Sequence, residues 1–267
     1  MFAGLDFGLD RLNSNLNYNF NSPMYANFSS DLFDDLDIEC KYHSEETFVS
    51  LLGSIPKDYL AMCSLNCQSL KSKHVDINNF LTHLELSNVD LHFLGIQEVW
   101  QAHLINPNLT NFKGYNLFTK TRLNSRGGGV GFLIKDYFHC EILYEDYFIE
   151  NISETIVLKV KYLGNEFILV NIYRPPNNSN FALNSFFETF DSLLDQIHQD
   201  HNDTPMFLFG DYNINLFSAA ADPSGPAAKF LESLAFNGIL NLVTRATRVT
   251  VDTFSLIDII GTNCFFF

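Results

Sequence analysis

The segment Phe207-Leu-Phe-Gly-Asp-Tyr-Asn-Ile-Asn215 constrains the fold of this chain more than any other stretch. An apolar run over residues 206–209 stops at Gly210, and Asp211, Asn213 and Asn215 follow at alternate positions. A short apolar run bounded by a turn residue reads as a buried strand. Side chains alternate faces along an extended chain, so Asp211 and Asn213 are expected to project the same way from the strand's end. A carboxylate beside an amide at a strand tip can hold a water and a phosphate oxygen together, which phosphodiester hydrolysis requires. The plainer reading is a strand running into an Asp/Asn turn.

Four further segments repeat the pattern of an apolar strand ending on one polar residue. Ala61-Met-Cys-Ser-Leu-Asn-Cys-Gln68 carries Asn66, and Val89-Asp-Leu-His-Phe-Leu-Gly-Ile-Gln-Glu98 ends on a carboxylate. Phe167-Ile-Leu-Val-Asn-Ile-Tyr-Arg-Pro-Pro176 ends in Tyr173 and Arg174, and Ser255-Leu-Ile-Asp-Ile-Ile260 embeds Asp258. Strand ends that share a crevice are where sheet-based enzymes gather their chemistry. Each residue also has a plainer reading. Glu98 can be a solvated strand end, Tyr173 a strand aromatic and Arg174-Pro-Pro176 a turn. Asp258 can look outward, since a carboxylate among Leu256, Ile257, Ile259 and Ile260 is costly to bury unpaired.

In this order, Asn66, Gln97-Glu98, Tyr173-Arg174-Pro-Pro, Gly210-Asp211-Tyr-Asn213 and Ser255-Leu-Ile-Asp258 resemble the exonuclease–endonuclease–phosphatase family. More narrowly, Ile-Tyr-Arg-Pro-Pro and the Thr-Arg and Ser-Leu-Ile-Asp wording resemble the apurinic-type endonuclease domain of non-LTR (LINE-type) retrotransposons. The resemblance spans roughly residues 61 to 263. It implies an α/β fold of two packed mixed β-sheets between helices, four layers in all and deoxyribonuclease-like.

The roles below are what the resemblance implies. Glu98 is the main ligand of Mg²⁺, with Mn²⁺ as the alternative, and Asn66 lies beside the metal. A hard cation that keeps its waters needs few protein oxygens. Asp211 activates or positions the attacking water, and Asn213 bonds a phosphate oxygen. Tyr173 places its hydroxyl on the phosphate with Arg174 as a positive neighbour, and Ser255 and Thr247 are phosphate-side hydroxyls. Asp258 orients a catalytic histidine through its ring N–H. The partner is a DNA target-site duplex, and a reverse transcriptase domain belongs to the parent protein but not to this chain.

The family pattern continues into a further strand and a Ser-Asp-His tripeptide, whereas this sequence reads Asn263-Cys-Phe-Phe-Phe267. No histidine here takes that place, and His74, His83, His198 and His201 read as surface or helix-end residues. The expectation is a domain cut short at its C-terminus, with the final strands missing, activity reduced and Phe265–Phe267 uncovered. The domain is expected over residues 59–267. Residues 1–58 form an acidic leader with interleaved Phe and Leu and no sustained period, which reads as flexible.

The net charge of −15 is awkward for binding DNA, whose phosphates call for Lys and Arg. Residues 1–60 hold ten Asp/Glu against three Lys/Arg, so the leader accounts for part of it. Candidate DNA contacts are Lys113, Lys120, Arg122 and Arg126, with Arg245 and Arg248 as a second group; a solvated hairpin surface is the alternative. Arg126-Gly-Gly-Gly-Val130 lacks the Gly-Lys-Ser/Thr ending of a nucleotide loop and reads as a strand-entry turn. Five scattered cysteines and no signal segment or long apolar run suggest a reduced intracellular compartment, nuclear or cytoplasmic, with no membrane partner.

Helical spacing is expected over 75–84, 185–197 and 227–234, and a hairpin around residues 163–166. Three functions compete on these grounds. They are a Mg²⁺-dependent nicking endonuclease of a retrotransposon polyprotein, a phosphatase or phosphodiesterase of the same superfamily, and an inactive relic of the domain.

Overall fold

The computed structural model describes residues 40–54, 59–100, 111–202 and 204–264. Strands β1 (Met62–Asn66), β2 (Phe93–Gln97), β3 (Tyr115–Lys120) and β4 (Val130–Lys135) form one mixed sheet in the order β1-β2-β4-β3. Strands β5 (His139–Leu143), β6 (Glu154–Tyr162), β7 (Asn165–Tyr173), β8 (Met206–Asp211), β9 (Leu240–Asn241) and β12 (Asp258–Thr262) form the other, ordered β5-β6-β7-β8-β12-β9. A short hairpin of β10 (Arg248–Val249) and β11 (Phe254–Ser255) stands beside them.

The period of two along each strand sorts the core into layers. Phe93, Val130, Phe132 and Ile134 of the first sheet pack against Ile156, Leu158, Leu169, Phe207 and Phe209 of the second. The alternate residues turn outward. Leu94, Ile96 and Leu133 meet helices α1 (Glu45–Ser54) and α2 (Leu70–Leu86) through Phe48, Ile77, Leu81 and Leu84. Val157, Ile168, Val170, Met206 and Leu208 meet α3 (Asn180–Asp200) and α4 (Pro226–Phe236) through Phe186, Phe190, Leu194 and Phe230. The result is the expected four layers, helix, sheet, sheet, helix. Burying a large apolar side chain stabilises by roughly 1.5–3 kcal/mol, so these alternating faces dictate the layering.

The expected helices are present and longer than their periodic cores, and polar side chains cap the starts of two of them. Ser69 accepts from the Ser72 N–H at the start of α2, and Ser179 accepts from the Ala182 N–H at the start of α3. The expected hairpin joins β6 and β7 through Leu163 and Gly164, both at positive φ. That is the two-residue turn whose twist matches the strands it connects.

One boundary differs from expectation. Much of the anticipated leader lies outside the described residues, but residues 40–54 are part of the domain. Phe48 and Val49 of α1 are buried against the first sheet's helical face, and the Tyr42 hydroxyl donates to the Ala246 carbonyl. Phe48 and Val49 are adjacent, so this ten-residue helix offered too little periodicity to be read in sequence. Residues 265–267 lie outside the described residues. Among the described residues no helix is long and apolar enough to cross a membrane.

Candidate active site

Strand direction gathers the expected residues at one end of the sandwich. β1 and β2 run parallel with Asn66 paired to Gln97, and β7 and β8 run parallel with Tyr173 paired to Asp211. β12 runs antiparallel to β8, so its first residue, Asp258, pairs with the last residue of β8, Asp211. The period of two then puts Asn66, Tyr173, Asp211 and Asp258 on the faces turned toward the opposite sheet. Gly210 lets the strands meet here, since a Cβ would run into the Ile172 carbonyl and the Tyr212 ring.

Asn66 bridges the two sheets. Its Nδ2 donates to Glu98 Oε1 at 2.8 Å and to Asp211 Oδ2 at 2.7 Å, while its Oδ1 accepts from the Gln68 N–H. Carboxylates only accept, so the amide turns its nitrogen toward them and its oxygen away. Asn66 fixes the spacing of two carboxylates that are far apart in sequence.

Glu98 sits just past β2 at φ 54, a left-handed conformation rare for a side-chain-bearing residue. Its carbonyl accepts from the Ser69 N–H at 2.8 Å, and the adjacent Val99 and Trp100 N–H groups donate to Gly129 and Gly128. Those anchors on both sides hold the half-buried carboxylate at the rim, where Trp100 Nε1 reaches Oε2 at 3.3 Å. Among the described residues no group of three or more His, Cys, Asp or Glu gathers around one point. The donors that do gather are hard carboxylate oxygens, which suit a cation that takes one or two protein oxygens and otherwise keeps water or phosphate. The chemistry of the Glu98 carboxylate therefore fits a hard divalent cation such as Mg²⁺ or Mn²⁺.

Asp211 is buried at 4% exposure. Burial, then the neighbouring Asp258 carboxylate, push its proton affinity well above the ordinary aspartate value, against the opposing Asn66 and Asn213 N–H bonds. Asp258 is raised by burial as well, and the Thr247 hydroxyl and the Arg248 charge oppose the rise. Asp258 does not look outward, because its register places it beside Asp211. Tyr173 is buried, and burial followed by the Glu98 and Asp211 charges hold its phenol protonated far above its usual range. It is thus a hydrogen-bond donor at any working pH.

Asn213 reaches the site by a different route than strand alternation. β8 ends at Asp211, and Asn213 stands at φ 48. Its N–H donates to Asp211 Oδ1 at 3.0 Å and its Nδ2 to the Arg174 carbonyl at 2.9 Å.

Two expected phosphate contacts prove to be internal supports. Arg174 is 2% exposed, and its guanidinium donates to the Tyr212, Asn213 and Asn177 carbonyls and to Asn178 Oδ1. A buried guanidinium must find acceptors, and these carbonyls hold the loop that carries Asn213. Thr247 is also buried, and its Oγ1 accepts from the N–H groups of Ile257 and Asp258 while bonding the Asp258 carboxylate. Ser255 lies half-buried in β11, next to these groups.

The expected basic cluster is dispersed. Arg122 is buried in an ion pair with Glu154 at 2.5 Å, Lys120 is largely buried against Glu145, and Lys113 pairs with Glu85 beside α2. Arg126 remains exposed near the site, over the Trp100 ring. Arg245 lies over Tyr42, and exposed Arg248 is close enough to Asp258 to lower its proton affinity.

Sequence reasoning gave no role to the network beneath the site. Asn171 of β7 accepts from Gln97 Nε2 at 2.6 Å and donates to the Ile96 and Gly131 carbonyls, tying the sheets together at zero exposure. A lone Asn inside the apolar run of residues 167–172 was the available signal.

The model of the "Endonuclease/Exonuclease/phosphatase family" matches residues 63–258. No curated protein sequence matches the chain significantly. Among solved structures, one similar fold is the endonuclease domain of TRAS1, a telomere-specific non-LTR retrotransposon, at 14% identity and TM-score 0.52. It covers 76% of this chain and 84% of that one. Another is D. rerio TDP2 humanized by 14 mutations, at 18% identity, TM-score 0.51 and coverage of 76% and 82%. A third is a mannosyl-6-phosphatase of Bacteroides thetaiotaomicron, at 13% identity, TM-score 0.51 and coverage of 76% and 84%. With the family match spanning most of the chain and the strand-end residues converging on one edge of the sandwich, the chain belongs to the endonuclease/exonuclease/phosphatase family.

Proposed function

We propose that this chain hydrolyses phosphodiester bonds with Mg²⁺ and acts on DNA as a nicking endonuclease of the retrotransposon type. The observation that carries the reading is the Asn66 amide holding Glu98 of one sheet and Asp211 of the other at 2.8 and 2.7 Å. It builds a carboxylate for a cation and a carboxylate for a proton into one rigid unit. The DNA reading draws on the Tyr-Arg-Pro-Pro and Ser-Leu-Ile-Asp wording and on the fold shared with the TRAS1 endonuclease domain.

In this reading Glu98 holds the cation. A bound divalent cation supplies charge neutralisation at the phosphate and at the departing oxygen. Asp211, with its raised proton affinity, takes the proton of the attacking water. Tyr173 donates its hydroxyl to a phosphate oxygen, and Ser255 and the second Asn213 amide hydrogen serve the same group. Arg174 and Thr247 are positioning residues for Asn213 and Asp258. Asp258, held by Thr247, stands beside Asp211 in the strand register.

Supercoiled plasmid tests this directly. The purified chain should convert it to nicked circles with Mg²⁺ and not with a chelator, and Asp211→Asn and Glu98→Gln should each lose that conversion. Equal nicking by Asp211→Asn would refute the reading. Hydrolysis confined to phosphomonoesters, with duplex DNA untouched, would favour the phosphatase alternative.

A further inference from the structure

The chain has a single tryptophan, and it stands at the rim of the site. Trp100 follows Glu98 by two residues and is itself at φ 56, a strained conformation for a bulky side chain. Its backbone N–H donates to the Gly128 carbonyl at 2.7 Å, and Gly127, Gly128 and Gly129 all take positive φ. A Cβ at Gly128 would strike Glu154 and Arg122, so the buried Arg122–Glu154 pair sits directly under this glycine turn. The loop that delivers Arg126 is thus anchored from below, and its backbone fixes Trp100 from the side.

Two contacts use different parts of the indole, its in-plane N–H and its ring face. Its Nε1–H reaches Glu98 Oε2 at 3.3 Å. Its ring carries the Arg126 guanidinium 5.2 Å from the centroid, within the range of cation–π attraction. Arg126 is exposed, whereas Arg122 and Arg174 are buried on internal acceptors. Apart from exposed Arg248 near Asp258, the site's other nearby charges, Glu98, Asp211 and Asp258, are acidic, which is unfavourable for a polyanion unless a cation is held close.

We propose that Trp100 is a positioning residue that joins two binding elements of the site. Its N–H sets the Glu98 carboxylate for the cation, and its ring face holds Arg126 against a backbone phosphate flanking the scissile bond. The inference rests on the phosphodiesterase reading above and adds a substrate contact and its support. An arginine laid on an aromatic ring loses rotational freedom before the phosphate arrives, so it binds at lower entropic cost than a free side chain.

The separate arms of the unit make it testable. Mg²⁺ affinity is measured by calorimetry, and affinity for a short fluorescein-labelled duplex by anisotropy over a range of salt concentrations in the presence of Ca²⁺. Arg126→Ala should weaken duplex binding and lower the slope of log affinity against log salt by about one, with Mg²⁺ affinity unchanged. Trp100→Phe keeps the ring and loses the N–H, so it should weaken Mg²⁺ binding while keeping the wild-type salt slope. Trp100→Leu should do both. In the wild type, Mg²⁺ should alter the emission of Trp100, and in Glu98→Gln it should not. A Trp100→Leu chain that matches wild type in Mg²⁺ affinity and salt slope overturns the inference and leaves the phosphodiesterase reading standing. A folded wild type that binds neither Mg²⁺ nor duplex overturns both.

Discussion

Asp211 and Asp258 face each other as a register pair across β8 and β12, both on the surface turned toward the opposite sheet. Two carboxylates in that position cannot both ionise cheaply. Their shared burial explains why both hold protons more tightly than a free aspartate, and it makes the pair a pH-sensitive element of the fold.

The sign follows from linkage. Asp258 is raised from 3.8 to about 6, so between those values the folded chain binds more protons than the unfolded one. Stability is therefore full below the lower value and falls as pH rises toward about 6, with Asp211 extending the fall in the same direction. Asp258→Asn should flatten this profile and raise the melting temperature at pH 8 in metal-free buffer, with little change at pH 4. Parallel curves for variant and wild type from pH 4 to pH 8 would contradict the pairing.

Asn66→Asp replaces the bridging donor with a third carboxylate between Glu98 and Asp211. Loss of the two bonds and the added repulsion should lower stability by roughly 1–3 kcal/mol at pH 8. Added Mg²⁺ should recover part of the loss. Urea denaturation with and without the cation measures both effects, and an unchanged midpoint would rule out the bridge.

Tyr212 lies within the apolar cluster of Phe186, Phe190 and Phe230, and its buried hydroxyl has no partner among the described residues. Tyr212→Phe removes a desolvated polar group and keeps the ring. Stability should rise by about 1 kcal/mol or more, with plasmid nicking unaffected. A destabilised Tyr212→Phe would mean that the hydroxyl is satisfied in solution.

Asn171→Leu should be far more damaging than its single position suggests. It removes the side-chain donor to the Ile96 and Gly131 carbonyls and one acceptor of Gln97, which keeps Ser64, in a dry layer. The expected loss is about 3 kcal/mol or more, read by chemical denaturation. A change below about 1 kcal/mol would show that water reaches this layer.

The sequence by itself determined the layers and which strands end on polar residues. Alternating apolar residues in β7 and β8, and helical spacing in α2, α3 and α4, are local patterns that admit few other arrangements. The polar residues that end those strands were legible because a carboxylate or amide after an apolar run has no packing reason to be there. Tertiary structure decided what each one does. Asn66 turns its nitrogen inward because two carboxylates from different sheets meet at it, which spacing along one strand cannot reveal. Arg174, Thr247 and Arg122 look like free polar groups in the sequence. They are consumed by carbonyls, amides and a carboxylate that only the folded chain brings within reach. Asn213 arrives through a left-handed turn that strand alternation does not describe, and α1 joins the domain through two adjacent buried residues with no period to announce them. Local pattern encodes which face a residue takes. Hydrogen-bond satisfaction in a buried site depends on groups distant in sequence, and it is settled only when the sheets close on each other.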